Sequence, residues 1–116
     1  RYKALTEVAA DMGIVLSTLA ALGNDDTEAA FRRGVEMLDI DLPVPAAKSP
    51  DIGQFSQSVA RLADCYPLLK VPVLKAMAAV SRYDGEICAR ELTVLKAIAA
   101  VIDCPLPNSV LDTITD

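Results

Sequence analysis

The side chains best placed to do chemistry in this chain are three carboxylates in one short stretch, Asp84, Glu86 and Glu91. Carboxylate oxygens are hard ligands, so acids gathered around a tight turn suit a weakly held divalent cation. The other chemistry-bearing residues are few. Histidine is absent from all 116 residues. That removes the commonest general base, the commonest metal ligand and every His-dependent nucleophilic triad. Cys65, Cys88 and Cys104 are odd in number and form no CxxC pair. They read as small buried hydrophobes in a reducing compartment, not as a disulfide framework or a soft-metal site.

The stretch Tyr83-Asp-Gly-Glu-Ile-Cys-Ala-Arg-Glu91 has the pattern of the second half of an EF-hand loop. Asp84 stands at loop position 5, Gly85 at the sharp turn, Ile87 at the apolar position and Glu91 at the final bidentate carboxylate. The first two ligand positions fall on Val80 and Arg82, which cannot coordinate calcium, so this loop alone is not expected to bind it tightly. A purely architectural account covers the same residues. Gly85 would cap a helix in the left-handed conformation, and Cys88 to Glu91 has the spacing of a capping box. Both accounts stay open here.

Other charged residues read more plainly. Arg61, Arg82 and Arg90 lie near Asp64, Asp84 and Glu91 in sequence, as solvated ion pairs of small worth do. Asp11, Asp25 and Asp26 are distant from the acidic hairpin, and sequence alone does not show whether folding gathers them. Met12, Met37 and Met77 fall at helix-face positions and are expected to fill the core.

These residues must be held by helices. Leu5, Val8, Met12, Val15, Leu16 and Leu19 recur at helical spacing, predicting a helix from Ala4 to Leu22 that ends at Gly23. A second helix is expected with Asp25, Asp26 or Thr27 as its N-cap and Ala30, Phe31, Val35 and Leu38 inward. A Pro-rich crossover occupies residues 41–51, packed by Leu42 and Val44. A third helix is predicted from Ile52 to Cys65, with Phe55, Val59 and Leu62 inward. A fourth begins between Leu69 and Pro72 and is apolar around most of its circumference, which makes it the expected central helix. A fifth spans Ala89 to Ile102, and a short terminal helix carries Val110, Leu111 and Ile114. The expected fold class is all-α, one domain of five to six helices.

Composition agrees and narrows the function classes. The chain is 53% hydrophobic but only 4% aromatic, so one aliphatic core is available and Ala and Leu favour helix. A net charge of -5 disfavours nucleic acid and anionic membrane surfaces, which require clustered Lys and Arg. The apolar run from Val71 to Val80 is broken by Pro72 and Lys75 and is too short to span a bilayer, so no membrane insertion is expected. A chain that opens at Arg1 and runs directly into a helical pattern is expected to be one domain of a longer protein.

The run Asp84-Gly85-Glu86-Ile87, followed by Glu91, Leu92, Leu95 and Ala97-Ile98-Ala99, resembles the signature hairpin of the TerB-like (tellurite-resistance-type) superfamily of small helical bundles. The stretch from Pro67 through Lys96 to Asp103-Cys-Pro-Leu-Pro107 is similar to the C-terminal domain of bacterial membrane-associated zinc metallopeptidases of the HtpX type. The resemblance is carried by the last third of the chain; the first half shares only its helix pattern. It implies a TerB-like bundle acting as a non-catalytic accessory, regulatory or protein-interaction domain. Its partners would be its own protease domain, the substrate of that protease, or a second copy. Zinc would belong to the catalytic domain upstream, and the module would face the reducing, cytoplasmic side. In that superfamily acidic residues are a proposed metal site, which carries over only to Asp84, Glu86 and Glu91. Cys88 departs from the Ser or Thr usual at its position. The alternatives are a divalent-cation-binding or sensing module built on the acidic hairpin, and an enzyme running on carboxylates and Lys.

Overall fold

The computed structural model describes residues 3–23, 26–38, 40, 52–83, 89–104 and 106. Those residues form an all-α bundle. A 3₁₀ turn, Leu5–Val8, leads into α1 (Ala9–Gly23), followed by α2 (Thr27–Leu38), α3 (Ile52–Ala63), α4 (Pro67–Ser81) and α5 (Ala89–Val101). No extended strand occurs among the described residues. The crossover with Leu42 and Val44, the hairpin acids Asp84 and Glu86, and the expected terminal helix with Val110, Leu111 and Ile114 lie outside them.

Local chemistry sets the start of the first turn, of α2 and of α4. Glu7 folds back so that its Oε2 accepts hydrogen bonds from the backbone N–H groups of Lys3 (2.8 Å) and Ala4 (3.1 Å). Asp26 is the N-cap of α2: its Oδ1 accepts from the Ala29 N–H at 3.0 Å, satisfying a donor that the helix cannot. Pro67 starts α4 at its first position, where a fixed φ and a missing N–H cost nothing. The fourth helix therefore begins before the expected Leu69–Pro72 window. Pro72 instead lies inside α4, where it leaves the Leu68 carbonyl without its helical donor. This is tolerated one turn in, at a residue 89% exposed to solvent.

The end of α5 has a specific lock. The Cys104 N–H donates to the Ala99 carbonyl (3.1 Å) and the Asp103 N–H to the Ala100 carbonyl (3.3 Å). Asp103 takes a left-handed φ of 56°. This is the Schellman arrangement, with Asp where glycine is usual. It turns the chain so that Cys104 and Leu106 pack on the core.

The core is aliphatic, as composition requires. Val8, Met12, Val15, Leu16, Leu19 and Ala20 bury the stripe of α1. From Val73 to Ser81 every α4 residue except Lys75 is buried. Full burial of a Leu or Val contributes about 1.5–3 kcal/mol. The expected centrality of α4 is shared with α1, which packs against α2, α3, α4 and α5. The α2–α4 contact is the most extensive, and Gly34 makes it possible. A Cβ there would collide with Val80 Cγ2 and press on Leu16 Cδ1 at 3.2 Å.

The expected burial of the methionines is corrected at one position. Met37 is 44% exposed, unlike the buried Met12 and Met77, because it falls on the solvent side of α2. The segment Leu5–Leu22 is also long and apolar enough by composition to cross a membrane, with a mean hydropathy of 1.5. In the bundle 44% of that window is buried, and its apolar stripe is spent on packing.

Candidate functional site

Of the three hairpin carboxylates, only Glu91 falls among the described residues. It lies in the first turn of α5 and is enclosed, at 1% exposure. Its burial is unexpected for an acid read as a helix cap or as a metal ligand open to solvent. Leu92 beside it is only half-buried, so the inward face of α5 begins with a carboxylate and continues through Leu95, Ile98, Ala99 and Ile102. Among the described residues, no three His, Cys, Asp or Glu side chains converge closely enough to hold a metal ion.

The most developed polar cluster lies elsewhere, between α1 and α3. Asp11 is buried (6% exposed), and its Oδ1 accepts hydrogen bonds from Ser58 Oγ and Arg61 Nη1, both at 3.0 Å. Ser58 is itself enclosed at 1%. Arg61 therefore does not pair with its sequence neighbour Asp64; its guanidinium reaches across to a carboxylate on another helix. The Arg61 side chain keeps 55% of its surface in water, with its charged end folded onto the protein. A hydroxyl that is buried and already donating to a carboxylate is not presented to a substrate. Chemically, the cluster is a tie between helices.

That tie was missed in the sequence, although a signal existed. Asp11 stands three residues after Val8 and four before Val15, on the apolar stripe of α1. A charge on a buried stripe calls for a partner.

The acids near the start of the chain do not assemble into a site. Asp11 sits at the α1–α3 contact, Asp26 caps α2, and Asp25 lies outside the described residues. Arg90 is exposed and Arg82 half-buried. An open hollow of ≈ 450 Å³ is lined by Asp26, Glu28, Ala29, Arg32, Arg33, Glu36 and Tyr83. Its arginines are already engaged, Arg32 by Glu28 and Arg33 by Glu36 at 3.9 Å. Exposed pairs of this kind hold little energy.

Of the cysteines, Cys65 is a buried free thiol and Cys104 is half-buried; Cys88 lies outside the described residues. Burial pushes the Cys65 thiol above its ordinary pKa, a shift opposed by the positive charge of Lys70. A thiol held neutral is a poor nucleophile and a poor metal ligand.

Compared with known protein families, with curated proteins and with solved structures, the chain matches none.

Proposed function

We propose that this chain is a TerB-like accessory domain of a zinc-dependent, membrane-associated metallopeptidase, without catalytic groups of its own. It would work by presenting a helical face to the protease domain, to the substrate, or to a second copy. The observation that supports this reading is the layout around the hairpin. α4 ends at Ser81 and α5 begins at Ala89, so two packed helices flank the stretch that resembles the TerB-like signature. The absence of histidine from the chain is consistent with the zinc motif lying in another part of the parent protein.

The reading is tested in the parent protein by deleting residues 1–116. Hydrolysis of a short peptide by the catalytic domain should survive, while processing of folded protein substrates or assembly of the enzyme should fall. Loss of peptide hydrolysis without loss of folding would make the domain part of the catalytic centre and overturn the proposal.

A second reading is a divalent-cation module formed by Asp84, Glu86 and Glu91. Its support is the spacing of the three carboxylates around one short stretch of sequence, where hard oxygen ligands suit a divalent cation. Calorimetric titration with calcium, magnesium and zinc decides it. Heat that disappears in Glu91→Gln supports the module; no heat at millimolar metal ends it.

A further inference from the structure

We draw no further inference here: the strongest candidate, the exposed apolar patch of Tyr66, Leu68 and Val71 at the start of α4, carries nothing because no feature of the structure shows what covers it.

Discussion

Asp11 in α1 and Arg61 in α3, 50 positions apart in the chain, share a 3.0 Å charge-assisted hydrogen bond that also gathers the buried Ser58 hydroxyl. The three groups differ in how much water they keep, and that difference ranks their contributions. Removing Asp11 leaves a buried hydroxyl without its acceptor, so Asp11→Ala should cost about 1–3 kcal/mol. Arg61→Ala removes a partly solvated charge, worth about 0–1 kcal/mol as an exposed pair, and adds the cost of leaving the buried Asp11 carboxylate without its charged partner. Urea unfolding of the two single variants and the double variant measures both costs and the coupling between them. Equal costs would mean that the carboxylate, not the hydroxyl, governs the tie.

Gly34 should resist the substitution that usually stabilises a helix. Gly to Ala in a helix interior gains up to about 1 kcal/mol by propensity. Here the new methyl would meet Val80 in a fully packed α2–α4 contact. Overpacking of this kind costs about 1–3 kcal/mol, so Gly34→Ala should lower the melting temperature. Adding Val80→Ala should recover part of the loss, which a thermal melt of both variants would show.

Asp103 is the opposite case. Its φ of 56° is strained for a residue with a Cβ, and glycine adopts it freely. Asp103→Gly should raise stability by a few tenths to about 1 kcal/mol, while Asp103→Val should lower it. The midpoint of chemical unfolding distinguishes the two directions.

Glu7 sets an acid-sensitive contribution at the start of the bundle. Hydrogen bonds from the Lys3 backbone first, and then from Ala4, hold its carboxyl below the ordinary value. A depressed carboxylate contributes stability that is present above the unfolded pKa and lost as pH falls through the folded one. The first turn should therefore loosen only under acid conditions, below the ordinary glutamate pKa. Titration of the Glu7 side-chain carbon signal by NMR should give a midpoint below that of a free glutamate, and Glu7→Gln should remove the acid dependence of amide exchange at Lys3 and Ala4.

Much of the fold was legible from spacing alone. The stripe Val8, Met12, Val15, Leu16, Leu19 announces α1, and the all-round apolarity of Val73 to Val80 announces a surrounded helix. Local chemistry also narrowed the α2 cap to Asp25, Asp26 or Thr27, of which the structure selects Asp26, and marked the break at Tyr66-Pro67. What spacing could not show was pairing at a distance. Arg61 has an acid three positions away and ignores it for one fifty positions back, because packing brings α1 and α3 together. Met37 carries an apolar side chain but falls on the outward side of α2, where only tertiary position decides burial. Glu91 was legible as a residue of interest, yet its enclosure depends on how α5 seats against the bundle, which its own neighbours in sequence do not specify.

The proposed role ties these helices to a zinc peptidase encoded with them. Sequencing the coding region upstream of Arg1 tests it most directly. An HExxH motif flanked by apolar membrane spans is expected in the same reading frame. An upstream sequence without that motif, or an initiator codon immediately before Arg1, would contradict it.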